Sequence, residues 1–326
     1  MLGLRLHFLD FTGNIYFVRF LKKITVGILF FVSLTFGLMS NVLENADKEF
    51  QVSWGYRTGD LDWNIAGTNN IPNILSELTW SDLEIYQFNL NGSISFENHI
   101  YLKTQYSLGV VADGKNQDSD YANNNRTAEF SRSNNDVTGN NIYDIGLGLG
   151  YEFDLTNSQG TFPIQFVPLF GYSYQVMNFN IVNGFQTIPA TGSFSGLNST
   201  YRSEWSGWWA GFELRVKPIQ NWELMFGYDI HKADYNAEAD WNLRTDLDHP
   251  VSFENNADAN GVKWNVTVDY QLNEQWFLRL MMDHQKWHSK RGTNKINFVG
   301  GNSSYAVLNE VNWESDSYNL GLGCQF

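Results

Sequence analysis

The chain of 326 residues carries 21 Lys and Arg against 35 Asp and Glu, a formal net charge of −14, with 43% hydrophobic and 16% aromatic residues. That balance excludes a nucleic-acid binder that works by neutralising phosphates, and a single cysteine, Cys324, excludes intramolecular disulfides and cysteine-built structural zinc. Six prolines and a mean hydropathy of −0.34 fit neither a disordered linker nor a polytopic helical protein, whereas abundant Trp, Tyr, Asn and Gly suit a surface that meets both lipid and water.

Residues 1–40 hold the only long apolar run, Ile24 to Met39, directly behind Lys22 and Lys23. Basic residues followed by ~7–15 apolar ones read as a secretory signal peptide, here cut near Ser40. The competing reading, an uncleaved helical anchor, needs ~20 apolar residues. No cysteine follows the run directly, so a lipoprotein is not expected. Removal takes away Arg5, Arg19, Lys22, Lys23 and Asp10, leaving 17 basic against 34 acidic residues and a charge of −17. The expected organisation is a signal peptide over 1–40 and one domain over 41–326.

Beyond residue 45 the pattern alternates with period two, the mark of half-buried strands. Ten strands are expected at 49–66, 77–96, 100–114, 141–153, 162–182, 200–217, 222–242, 261–272, 276–291 and 310–326. In 144–153, Ile145, Leu147, Leu149, Tyr151 and Phe153 oppose Asp144, three glycines and Glu152. In 222–230, Trp222, Leu224, Phe226, Tyr228 and Ile230 share a face. In 262–272 the apolar set is Val262, Trp264, Val266, Val268, Tyr270 and Leu272. Short connections at 97–99, 154–161, 218–221 and 273–275 alternate with long polar ones at 67–76, 115–140, 183–199, 243–260 and 292–309.

A soluble sandwich also alternates, so the make-up of each face decides. The polar face here is Gly, Ser, Asn and Gln with a few opposed charges, which suits a lumen better than a Lys- and Glu-rich surface. Trp222, Trp276, Phe153, Phe162 and Phe96 cluster at segment ends, as an interfacial girdle requires. The reading is all-β: a ten-stranded antiparallel transmembrane barrel of the bacterial outer membrane, exported by its signal peptide. Strands longer than the ~9–11 residues needed to cross predict walls that project beyond the bilayer. Phe326, preceded by apolar residues at every second position, resembles the recognition signal of the barrel assembly machinery. That machinery and outer-membrane lipid are therefore expected partners; nucleic acid is not.

The expected lumen network comprises Lys103, Arg215, Lys263 and Arg279 with Glu152, Glu213, Glu223, Asp229, Asp269 and Asp283, and His231 as a hydrogen-bond partner of Asp229. Eight strands leave room only for side chains and 16–18 leave a channel, so ten predict a mostly plugged lumen with at best a thin conducting path. Asp113, Asn116, Asp118 and Asp120 offer oxygen ligands for Ca²⁺, but their Asn-rich loop reads better as solvated. No zinc motif, phosphate-binding glycine loop or Ser-His-Asp arrangement is seen, and no cofactor is expected.

Ten strands, projecting walls and long outer loops resemble the omptin family, outer-membrane aspartyl-type proteases with a groove at the barrel top. The resemblance implies an Asp-x-Asp on the second outer loop, met by Asp118-Ser119-Asp120, facing an Asp-x-His on the fourth, with water activated between them. Asp229-Ile230-His231 has the second spacing but lies seven residues beyond the turn at Trp222, whereas Asp118 lies 19 beyond the turn at His99. That offset is roughly 30 Å along the axis at ~3.3 Å per residue and a ~40° tilt. At the matching height stands Glu238-Ala239-Asp240, without a histidine.

The segments 72–80 (PNILSELTW), 116–120 (NQDSD) and 129–135 (EFSRSNN) resemble the outer membrane proteins of Protochlamydia and other chlamydia-related bacteria. That resemblance implies an outer-membrane location and porin-like activity, with no catalytic residues to transfer. The function expected is non-enzymatic, either surface binding and adhesion or a narrow pore; the alternative is an omptin-like endopeptidase carried by Asp118 and Asp120. The expected binding rim is Asp118, Asp120, Glu238 and Asp240, braced by Arg126 and Arg132, for cationic ligands or host surface molecules.

Overall fold

The computed structural model describes residues 46–156 and 162–326; the expected signal peptide lies outside the described residues. Every strand pairs antiparallel. The wall begins with β1 (Asp47–Ile65), β2 (Ser76–Ser95) and β3 (Ile100–Asn123). β4 (Thr127–Thr138) and β5 (Asn141–Tyr151) then stand end to end, each pairing with β3 on one side. The two-residue β6 (Phe153–Asp154) joins them to β7 (Ile164–Ile188), which pairs with both on the other side. β8 (Gly192–Ser193) caps the top of β7, and β9 (Asn198–Ile219), β10 (Trp222–Asp240) and β11 (Phe253–Gln271) continue the wall. β12 (Trp276–Ser289) and β13 (Gly292–Asn297) share one place between β11 and β14 (Ser303–Gln325). β14 pairs back onto β1, with Tyr318 opposite Tyr56, so ten strand places close into a ring. Closure pairs both sides of the ten-place wall, as a backbone in lipid demands.

Three of the expected long loops, 115–140, 183–199 and 292–309, are mostly wall, and 243–260 is strand from Phe253 onward. β3 runs to Asn123 and turns through Asn125 and Arg126, both with left-handed φ near 60°, directly into β4. Residues 183–188, 253–260 and 292–297 are strand as well. In 115–138 the inward positions Asn116, Asp118 and Asn135 are themselves polar, so no apolar stripe betrays the strand.

The faces of the wall exchange character partway up. In the lower half the outward side chains are apolar: Leu147, Trp208, Leu280 and Leu320 are 57–59% exposed. This belt is bounded by Trp54, Tyr86, Tyr172 and Tyr318 above and by Tyr151, Phe153, Trp222, Trp276 and Phe326 below, the paired girdles of a membrane barrel. In the upper half the inward side chains are apolar instead. On β10, outward Leu224, Phe226 and Ile230 give way to inward Ala233, Tyr235, Ala237 and Ala239, with Lys232, Asp234, Asn236 and Glu238 now facing water. Trp63, Trp80, Trp205, Trp287 and Trp313 fill the upper interior with Tyr201, Tyr235 and Phe179, each at most 3% exposed. Trp80 packs 4.7 Å from Tyr201 and Trp205 packs 4.5 Å from Tyr235, centroid to centroid. The exchange marks the membrane surface: outside the bilayer the outer face must be wet, and apolar bulk can be buried only inward.

Candidate functional site

In the lower lumen part of the expected network is joined in direct ion pairs, while Glu223 pairs instead with Lys217 at 3.4 Å. Lys103 pairs with Glu213, and Arg215 donates to Glu213 at 2.8 Å, to Glu152 at 3.2 Å and to Gln165 at 3.1 Å, with its guanidinium 4.4 Å from the Tyr101 ring centroid. Arg279 grips Asp269 at 2.7 and 2.6 Å and Glu49 at 2.8 Å. Asp283 accepts from Ser317 and Asn319 at 3.2 and 2.9 Å. Lys263 lies 5.2 Å over the Trp287 ring. Sequence reasoning missed Glu49 and the Arg57–Asp144 pair at 2.6 Å, although each occupies an inward position of its strand.

Asp229 and His231 both face inward, but the expected bond between them is not made. The Asp229 carboxylate folds over Gly211, where a Cβ would come within 2.1 Å of its Oδ1. His231 instead sits 4.8 Å from the Trp287 ring and 6.1 Å from Trp209, with Nδ1 at 3.2 Å from the Ser173 hydroxyl. Arg57, Asp144, Asp229, His231, Lys263 and Asp283 all line one lumen cavity of about 110 Å³.

At the rim the expected acidic cluster divides. Asp118 and Asp120 face inward. Glu238 and Asp240 alternate with buried Ala237 and Ala239 and so project from the outer wall, because period two sends neighbours to opposite faces. Arg126 is bound to Glu77, with Nε at 2.8 Å, and Arg132 to Glu129 at 2.7 Å, so neither braces the Asp pair. The inward pair meets groups from the loop after β10. Trp241 hydrogen-bonds Asp118, and Arg244 acts electrostatically on both aspartates while held by Asp246 at 2.8 and 2.7 Å. Burial, reinforced by the Asp120 charge, pushes the Asp118 carboxyl up to about 7; burial also raises Asp120.

Asp118, Asn135, Phe194, Trp241, Leu243 and Arg244 line a cavity of about 140 Å³ at the barrel mouth. A histidine does reach this level: His249 Nδ1 lies 2.6 Å from Asp240 Oδ1, on the outer side of the wall. Trp241, Arg244 and His249 carry no sequence signal, because they lie in an aperiodic loop whose position only barrel closure determines. Among the described residues, no cluster of His, Cys, Asp and Glu has metal-holding geometry.

An apolar belt between two girdles, a closed ten-place ring and a charged lumen define a β-barrel of the bacterial outer membrane. The chain belongs to the Protochlamydia outer membrane protein family, whose model matches residues 51–326. The structure is similar to the outer membrane protease OmpT of Escherichia coli, with a TM-score of 0.69 at 13% identity over 88% of this chain and 99% of that one. The outer membrane protein OprG of Pseudomonas aeruginosa aligns with a TM-score of 0.30 at 12% identity over 86% of this chain and 96% of that one. No match was found among curated protein sequences.

Proposed function

We propose that this exported barrel is a non-conducting, non-hydrolytic surface protein that acts by binding at its rim. The observation that carries the reading is the aromatic core of the upper half. Five tryptophans packed in the upper interior support a barrel closed to solutes there. What remains for partners is the mouth and the outer wall, with the inward Asp118 and Asp120 favouring cationic ligands. Export through residues 1–40 is part of the same reading, since a barrel must reach the outer membrane from the periplasmic side.

The test is retention of bacteria displaying the barrel on a surface coated with a lysine-bearing peptide. Retention should fall when the tip loops 68–74, 189–197 and 241–252 are replaced by Gly-Ser segments, with folding checked by heat-modifiable mobility. Equal retention without the loops contradicts the reading. The peptidase alternative has one observation in its favour, the Asp240–His249 pair. It predicts cleavage of a basic peptide that is lost on both Asp118→Ala and His249→Ala. The placement of that pair on the outer wall, opposite in facing to Asp118, supports silence in this assay.

A further inference from the structure

Exposed large apolar side chains occupy two zones of the outer surface, and the protein's own membrane explains only one. The first zone is the belt with its girdles and the short turns beneath it. Above the girdle the wall carries no exposed large apolar side chain among the described residues until the hairpin tips are reached. There each of the five outer connections bears at least one, 46–70% exposed. Ile71 lies between β1 and β2, Phe130 beside the turn from β3 to β4, Phe185 near the top of β7, and Leu243 just past β10. Val299 and Tyr305 stand on the hairpin from β13 to β14. Their heights agree. Phe185 and Tyr305 each lie 13 residues along the strand from the girdle residues Tyr172 and Tyr318, and Leu243 lies 13 beyond Ile230. At ~3.3 Å per residue and a ~40° tilt, that is roughly 30 Å above the girdle. Phe130 stands two residues from Arg132, whose partner on β7 is Ile188, just above Phe185.

A single exposed apolar residue needs no explanation, but a set confined to one height on every hairpin does. Charge is withdrawn from the same places. Residues 63–76, 175–201 and 296–309, which form three of the five tips, contain no Asp, Glu, Lys or Arg in a chain of net charge −14. At the other two tips Arg126, Arg132 and Arg244 are held by Glu77, Glu129 and Asp246. A protein partner is gripped by anchors gathered at the centre of a patch, whereas these stand singly around a ring among Asn, Ser, Thr and Gly. A bilayer accepts apolar side chains at any spacing, because each enters the acyl boundary by itself while amides and hydroxyls stay among the headgroups. We infer that the ring of tips docks on an apposed lipid surface with zwitterionic headgroups, and that the six apolar side chains enter it. That surface belongs to a second membrane, since the protein's own lies roughly 30 Å below the tips. The inference rests on rim binding as the function and adds a lipid surface to the partners of the rim.

The test holds the barrel in phosphatidylcholine nanodiscs and mixes it with protein-free phosphatidylcholine vesicles, which are then floated on a density gradient; empty nanodiscs set the background. Barrel nanodiscs should float with the vesicles saturably, and about 0.5 M sodium chloride should not release them, because salt screens only charged contacts. Replacing all six apolar residues by Ser should lower the floated fraction at least fivefold. Asn236→Ser, on the outer wall below the tips, should leave it unchanged. If the six-residue variant fails to fold, as read by heat-modifiable mobility, Ile71→Ser combined with Val299→Ser should lower the fraction at least twofold. Absence of flotation, flotation that needs an anionic lipid, or equal flotation of the folded variants overturns the inference. Pairing of barrel nanodiscs with one another in place of vesicle binding makes a second copy the occupant and overturns it too. The six-residue variant keeps Asp118 and Asp120, so its retention on the lysine-bearing peptide judges rim binding separately.

Discussion

Asp118 is a residue whose chemistry its surroundings rewrite. Its carboxyl is pushed to about 7 by burial and by Asp120, against ~3.9 in an unfolded chain. The folded state therefore holds this proton more tightly, and the stability it contributes is complete below pH ~4 and lost as pH rises through 7. Asp118→Asn, which stays neutral, should gain thermal stability relative to the parent as pH rises from 4 to 7.5. A difference in unfolding temperature that is flat with pH would show that the carboxyl is not perturbed in the protein. Two adjacent residues of β11 test the facing of the wall. Val266 is 42% exposed toward lipid while Asn265 faces the lumen cavity, and an Arg on the lipid face costs ~2–4 kcal/mol near the midplane. Val266→Arg should reduce the folded fraction in lipid vesicles far more than Asn265→Arg. Equal yields would contradict the assigned faces.

At the scale of strands, the alternation gave away the membrane-spanning part of the wall and its ten places, because there the outward positions are mostly apolar. The extensions were hidden. Above the membrane the apolar residues move to the inner face, as between Ile230 and Ala233 on β10; the expected strand 222–242 spans that change, but the tops of β3, β7 and β11 read as loop. From Asn116 to Asn135 the inner positions Asn116, Asp118 and Asn135 are polar, so β4 looked like loop despite the buried Val137 near its end. The rim was legible for Asp118 and Asp120 and illegible for their partners, since Trp241 and Arg244 reach them only through closure. The buried upper face predicts a stability contribution that no lipid contact supplies. Trp313→Ala, at a site fully shielded from solvent, should cost ~3–5 kcal/mol in urea unfolding; a change below ~1 kcal/mol would mean the aromatics are loosely packed. At the seam, the Phe326 amide donates to the Lys48 carbonyl at 2.9 Å and the Lys48 amide donates back at 3.0 Å. Deleting Phe326 should lower surface levels in cells by slowing insertion. Normal levels would remove the assembly role assigned to that residue.

The whole molecule is a barrel in two storeys. The lower storey spans the membrane, apolar outside and held within by ion pairs around Arg215 and Arg279. The Arg57–Asp144 and Lys103–Glu213 pairs join strands that are not neighbours in the wall, and Arg57 and Asp144 line the lumen cavity of about 110 Å³. The upper storey is turned inside out, polar on the outer face and with an aromatic core within. Under the proposed function, a wall that rises from the membrane and carries a small cavity at its top holds a partner at the cell surface without conducting. The most direct measurement is the conductance of the purified barrel reconstituted in planar lipid bilayers. Flat traces without unitary steps at 100 mV in 1 M salt are the expected result, and reproducible stepwise currents from the unmodified protein would contradict the sealed interior.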